Sequence, residues 1–356
     1  MLKRLKLIVL ASGQRLGLSR RLLDSRWRQR RLLILCYHGI SLVDEHEWDP
    51  ALFMPATVLR DRFECLRTLD CHLLGLAEAL ERLRAGTLPP RAVSVTFDDG
   101  TYDFLTRAMP LIREYDIPVT LFFATHHSLS NKPIYDLAVD YVLWRAQGQV
   151  VRLPEVFTEP VQLDSIGARR AATQALRRHA HARNLTTDEK DDLLARLAAA
   201  CAVDMGAIRR QRLLHLMTPA EVTTVSREGI DVQLHTHRHR VYDDKARFRA
   251  AVEDNRQALA AMREGRADHF CYPGGMYLPE FVPWLDELGV RSGATCDAGL
   301  ASQAHSPWLL PRLIDTATLS AVEFRAWVSG LASWLPKRPH APPDWMLVRG
   351  PGTFGA

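Results

Sequence analysis

AVSVTFDDGTYDF, residues 92–104, runs through six residues, most of them apolar and β-favouring, into two adjacent carboxylates and a glycine. Val93, Val95, Thr96 and Phe97 suit a buried, pleated setting, and Gly100 ends the run. The sequence therefore predicts a strand with Asp98 and Asp99 at its C-terminal tip. Neighbouring side chains of a strand point to opposite faces, so two acids that serve one site need the backbone to turn there, which Gly100 permits. Two acids this close also repel, and one holds its proton unless a cation is near. The stretch equally fits an Asp-Gly turn in which Asp99 or Thr101 caps a helix starting at Tyr102.

The chain has 356 residues, 47% of them hydrophobic, enough for one barrel-sized domain with insertions or for two domains. Its net charge of +5 is not spread evenly. Residues 1–31 hold ten Lys or Arg against Asp24 alone, so the rest of the chain is slightly acidic and carries no basic stripe with interleaved aromatics. Nucleic acid is therefore not an expected partner. The leader begins like a signal peptide, but its apolar run, Leu7–Ala11, is shorter than an export core and far too short to span a bilayer. Leucines among arginines suit a basic amphipathic helix on an anionic membrane surface, with Trp27 as an interfacial anchor, or a solvated helix packed on the body. A cytoplasmic protein, peripheral at the inner face of the cytoplasmic membrane, is the expectation, and there six cysteines without a CxxC pair read as free thiols.

Beyond the leader, RLLILCYHGIS holds a buried-type strand, residues 32–37, that ends at His38 and Gly39. Two helical patterns follow, then the opening strand, then a helix and a continuous apolar strand over residues 119–124. Helix followed by buried strand is the order of a parallel α/β sheet or barrel. From about 131 to 211 the sequence turns helical and rich in Ala and Arg, which predicts an insertion over part of the barrel mouth. The alternation then resumes and ends in a helix, so the barrel is expected over 32–335, with an irregular Pro-rich tail at 336–356.

LHTHRH, residues 234–239, places His235 and His239 four apart at the end of a predicted strand. If the turn is helical, both face one metal ion, and His237 points elsewhere. Strand ends converge on the functional face of a barrel. One Asp and two His make a partly filled coordination set for zinc or another borderline divalent ion, with the second Asp free to take a proton. Spacing alone does not say which Asp does which.

TFDDG, then HTHRH, then FCYPGG, in this order and each at a strand end, resembles the polysaccharide deacetylases with a NodB-homology domain, carbohydrate esterase family four. The resemblance implies an irregular (β/α)7 barrel with the helical insertion. It also implies a divalent metal, zinc first and cobalt, nickel or manganese as alternatives, and removal of N-acetyl, sometimes O-acetyl, groups from glycans. Carried onto this chain, Asp98 is the base, Asp99, His235 and His239 are the ligands, and Thr236 steadies the loop. Gly274 takes the place of the family tyrosine whose backbone N–H meets the oxyanion, and Tyr272 beside it joins the expected substrate-binding set. Cys271 replaces the family arginine that orients the base, and Arg312 is the candidate to supply that charge from another strand. The late leaving-group histidine of many members is missing. The YH pair of an exopolysaccharide subgroup matches LCYHG, which makes His38 the expected general acid.

These residues predict a metal-dependent hydrolase acting on an amino-sugar glycan or a lipid-linked saccharide made for a surface polysaccharide. A deformylase of a lipid-linked formamido sugar uses the same residues, and an inactive glycan-binding scaffold is the reading from another class.

Overall fold

The computed structural model describes residues 2–337 and 339–349. Seven short strands form the path of one parallel sheet: β1 (Leu33–Tyr37), β2 (Ala92–Asp99), β3 (Val119–Phe123), β4 (Asp231–Leu234), β5 (His269–Cys271), β6 (Ser292–Ala294) and β7 (Leu313–Ile314); an eighth, two-residue strand, His72–Leu73, pairs parallel to the start of β2. Their order is β6-β5-β4-β3-β2-β1-β7, and every pairing along it is parallel. The last segment closes the sheet on itself. Leu310 pairs with Ala294 of β6, and Leu313, three residues on, pairs with Leu35 of β1. The result is the irregular (β/α)7 barrel that the motifs imply.

Alternation along the strands sorts the side chains into two layers. Leu33, Leu35, Tyr37, Val93, Val95, Phe97, Leu121, Phe123, Val232 and Leu234 pack outward against the surrounding helices. Among their partners are Phe63 and Leu66 of helix Ala56–Thr68 and Phe248 and Val252 of helix Lys245–Ala260. Ile34, Phe122, Cys271, Ala294 and Leu310 fill the interior instead, together with Leu76, Leu80 and Leu83 of helix Leu76–Ala85. Continuous burial of both faces explains why these strands read as unbroken apolar runs.

The insertion carries helices Tyr135–Arg145, Ile166–Ala182, Thr187–Ala200 and Met205–Gln211. Thr186 and Glu189 form a reciprocal cap at the third of these, which fixes where it starts. Val139, Leu176, Leu193, Leu197 and Ile208 form a separate core, joined by Phe53 from the segment after β1. A bridge between Thr101 and Leu216 ties this unit to the end of β2, so it flanks the C-terminal ends of the strands.

The leader is not a free helix. Helix Leu2–Arg15 lies against helix Ala321–Ser329, with Leu10 and Leu23 fully covered. Arg28 is buried and donates to the carbonyls of Val328, Arg31 and Ala92. Trp27, expected as a membrane anchor, instead sits in the seam with the body, 5.5 Å from the Trp334 ring, and fills the space that Gly330 leaves by having no Cβ. No helix of the described residues is long and apolar enough to cross a membrane. All six cysteines are free. The tail expected to be wholly irregular contributes a strand, Leu347–Val348, parallel to Val241–Tyr242; residues 350–356 lie outside the described residues.

Replacing Arg28 by Met removes the donor from two buried carbonyls, each worth about 1–3 kcal/mol when left unsatisfied. The variant is expected to unfold at a lower urea midpoint with an unchanged slope, measured by equilibrium denaturation.

Candidate metal and proton-transfer site

Alternation on β2 points Ser94, Thr96 and Asp98 into the barrel, because Val93, Val95 and Phe97 face the helices. Asp99 would continue outward. It does not, because its own backbone is left-handed, with φ 71°, and Gly100 follows at φ 81°. A non-glycine residue at such a φ is strained and needs surroundings that hold it there. Gly100 has no alternative: a Cβ would lie 2.0 Å from the Phe123 ring. The turn expected at Gly100 therefore begins one residue earlier.

That turn brings Asp99 Oδ1 to 2.9 Å from His239 Nε2 and 3.2 Å from His235 Nε2. The three donor atoms lie within 4.8 Å of one another. His235 Nδ1 is 2.9 Å from the Cys271 carbonyl, which can only accept. Nδ1 therefore carries the hydrogen, and the Nε2 lone pair faces Asp99. Two imidazole nitrogens and one carboxylate oxygen, with one tautomer set from behind, fit a borderline divalent ion such as zinc, cobalt, nickel or manganese.

The loop that carries the histidines is not helical. Thr236 has φ 60° and His239 has φ 54°, and the Thr236 hydroxyl accepts the Arg240 N–H at 3.1 Å, closing a tight bend. Asn255, fully buried on helix Lys245–Ala260, anchors the bend from below. Its Oδ1 accepts the His235 N–H at 2.8 Å, and its Nδ2 donates to the Phe123 carbonyl and to Thr125 Oγ1, each at 3.0 Å. Sequence reading missed Asn255, although it falls on the same face as buried Phe248, Val252 and Leu259, where a polar residue is out of place.

Asp98 is 3% exposed and lies in the fork of Arg312, with Nη1 on Oδ1 at 2.8 Å and Nη2 on Oδ2 at 2.7 Å. Arg312 is buried too, so the pair is a desolvated, bidentate one. Burial pushes the Asp98 carboxyl up, but the guanidinium outweighs burial and holds it well below the usual carboxylate range. The thiols of Cys36 and Cys271 also reach Oδ2, at 3.4 and 3.2 Å. Burial pushes both thiols well up, so they stay protonated donors. Cys36 was missed in the sequence, although it shares with Ile34 and His38 the inward face of β1. His38 stands at the rim, 19% exposed, with Nε2 3.9 Å from Asp98 Oδ2.

Asp103 ties these parts together. Its Oδ1 accepts the Ile40 N–H at 2.8 Å and the Thr101 hydroxyl at 3.0 Å, which links the segment after His38 to the one after Asp99. Burial pushes this carboxyl up to about 7, against the lowering pull of the Ile40 N–H.

Of the expected site residues, Asp98, Asp99, His235, His239, His38 and Arg312 converge. Gly274 lies in the loop after β5, with φ 56°, and its carbonyl is 2.7 Å from His340 Nε2. Tyr272 does not join them. Its ring is fully buried beside Phe270 and Phe281, and its hydroxyl donates to the Trp308 carbonyl at 3.0 Å, so the side chain belongs to the core.

The family profile for polysaccharide deacetylases matches residues 85–162 and 177–293, more than half of the chain. The poly-β-1,6-N-acetyl-D-glucosamine N-deacetylase of Escherichia coli K12 is 29% identical over 98 residues, 27% of this chain and 14% of that protein. The enzyme of the same name from Staphylococcus epidermidis is 31% identical over 68 residues, 19% of this chain and 24% of that protein. The chain thus spans a small part of the length of the curated relatives it matches. Two solved structures share the fold. The Streptococcus pyogenes deacetylase PplD in complex with acetate superposes with a TM-score of 0.54 at 16% identity, over 82% of this chain and 96% of that one. IcaB from Ammonifex degensii superposes at 0.53 and 17% identity, over 84% and 97%.

Asn255→Ala is expected to weaken zinc binding by about 10- to 100-fold, measured by chelator competition, because the bend that carries both histidines loses its anchor. Asp103 supplies a pH test. Its carboxyl is raised in the folded state, so the native protein holds a proton that the unfolded chain releases, and this contribution to stability is lost as pH rises from about 4 to about 7. Asp103→Asn keeps the acceptor oxygen without the charge. Relative to the parent, it should gain on the order of 1–3 kcal/mol in going from about pH 5 to about pH 8, read from denaturation midpoints.

Proposed function

The chain belongs to the polysaccharide deacetylase family, hydrolases that act on carbon–nitrogen bonds other than peptide bonds, and from that premise we propose that it removes an N-acetyl group from an amino sugar. The observation that carries this reading is the division of labour between neighbours: Asp98 in the guanidinium fork, Asp99 against two imidazoles. The names of the curated relatives support an N-acetylglucosamine-containing glycan as the substrate class. A lipid-linked saccharide for a surface polysaccharide, handled at the inner face of the cytoplasmic membrane, is the form of that substrate we propose, supported by the basic leader.

A divalent ion held by Asp99, His235 and His239 would supply a Lewis acid toward the acyl carbonyl. The chain's own residues then divide the proton work. Asp98, ionised and fixed by Arg312, accepts a proton from the attacking water. The water oxygen bonds to the carbonyl carbon, and the Gly274 N–H donates to the oxygen that gains charge. His38 Nε2 gives a proton to the sugar nitrogen as the carbon–nitrogen bond breaks, which leaves a free amine and acetate. The thiols of Cys36 and Cys271 hold Oδ2 in place.

The test is release of acetate and formate from acetylated and formylated amino-sugar substrates by the zinc- or cobalt-loaded protein. Acetate release that falls by about 10²- to 10⁴-fold in Asp98→Asn and in His38→Ala is expected. Formate as the only acid would replace the deacetylase by a deformylase, and no metal-dependent acid from any substrate would leave a glycan-binding scaffold. In Arg312→Met, burial of Asp98 acts unopposed and its carboxyl titrates higher. The acid limb of kcat/KM should therefore move to higher pH, with a lower plateau.

A further inference from the structure

A cavity of about 370 Å³ lies between the leader and the barrel wall, lined among others by Gln14, Ser19, Arg20, Thr68, Arg91 and Arg325. Arg91 is already committed to Asp24 and Asp70. Arg20 and Arg325 have no carboxylate partner among the described residues. The Ser19 hydroxyl is buried there and makes no hydrogen bond. Among the described residues Arg325 hydrogen-bonds only the Cys65 thiol, so two guanidinium groups without a carboxylate partner and an unpaired hydroxyl surround a space of this size, which suits a phosphate-class anion.

The outer side of the same leader says where that phosphate comes from. Leu10 and Gly13 of helix Leu2–Arg15 face the body, where a Cβ on Gly13 would come within 3.1 Å of Leu331. Ile8, Ser12, Arg15 and Leu16 recur at helical spacing on the opposite side, and Ile8 is 62% and Leu16 73% exposed. Val9 and Leu18 extend this face, and Trp334 stands exposed beside Trp27 at its edge. Exposed apolar residues interleaved with Arg15, Arg20 and Arg21, with Asp24 the sole acid of the leader, match a surface that is greasy inside and negative outside.

We propose that the leader is a docking face for an anionic phospholipid bilayer, with a lipid phosphate seated between Arg20 and Arg325. A soluble phosphate would use the cavity but has no need of the apolar face. The docking rests on the membrane placement proposed above and not on the hydrolytic step, because none of its residues belongs to the site, so the two fail separately.

The test is flotation of the full-length protein with vesicles of phosphatidylglycerol in phosphatidylcholine and with vesicles of phosphatidylcholine alone. Binding to the anionic vesicles alone is expected, weakened on the order of tenfold or more in Arg20→Glu/Arg325→Glu and in Ile8→Ser/Leu16→Ser. Circular dichroism and acid release from a soluble substrate check that each variant is folded and active; the milder Arg20→Gln/Arg325→Gln replaces a charge reversal that does not fold. Absence of vesicle binding by the parent protein overturns the proposal, as does binding that ignores the arginine substitutions. A thermal midpoint raised by inorganic phosphate, without vesicle binding, would make the cavity a soluble-anion site instead.

Discussion

A strand sends successive side chains to opposite faces, yet the chemistry at the tip of β2 needs two successive carboxylates on one face. The rest of the site depends on how the backbone resolves that conflict. Asp99 enters the left-handed region, Gly100 follows it there, and the Phe123 ring packs so closely over Gly100 that no other residue fits. Strain at Asp99, and again at Thr236 and His239, persists because neighbours over-determine it: the Thr236 bend and the three hydrogen bonds of Asn255 leave these side chains no slack. Energy that regular secondary structure would have conserved is stored where three donor atoms must meet.

The second constraint is the buried charge of Asp98. A carboxylate out of water is unfavourable by several kcal/mol unless it is paired and hydrogen-bonded. Arg312 answers that from the residue before β7, the strand that closes the barrel against β1, while Cys36 comes from β1 and Cys271 from β5. Asp98 is therefore held by residues from three separate segments of the barrel. A barrel that failed to close would lose the ion pair, because Arg312 lies between Leu310, which meets β6, and Leu313, which meets β1.

How much of this could be read from the chain follows from the range of the interactions involved. The strands around 33–37, 92–99 and 119–123 were legible because burial on both faces writes an apolar run, and the helix around 245–260 was legible through its period. Asp99, His235, His239 and His38 were legible as motifs at strand ends, and the structure brings them together. Arg312 was legible only as a candidate, because nothing local says that residue 312 reaches residue 98. Tyr272 was misplaced for the opposite reason: it adjoins the motif in sequence, but alternation from Cys271 turns its ring outward into the core. The helical turn expected between His235 and His239 failed because side-chain anchors, not periodicity, shape that bend. The leader was legible in charge and spacing, but not in its attachment, which rests on Arg28 reaching carbonyls as distant in sequence as Val328.

The central claim is that Asp98 and Asp99, chemically identical and covalently adjacent, do different jobs because their surroundings differ. The measurement that tests this most directly is the metal content of the purified, zinc-loaded protein and of its Asp98→Asn and Asp99→Asn variants, by elemental analysis after exhaustive dialysis. Asp98→Asn is expected to retain stoichiometric zinc and Asp99→Asn to retain little. Equal loss in both variants, or loss in Asp98→Asn alone, would contradict it.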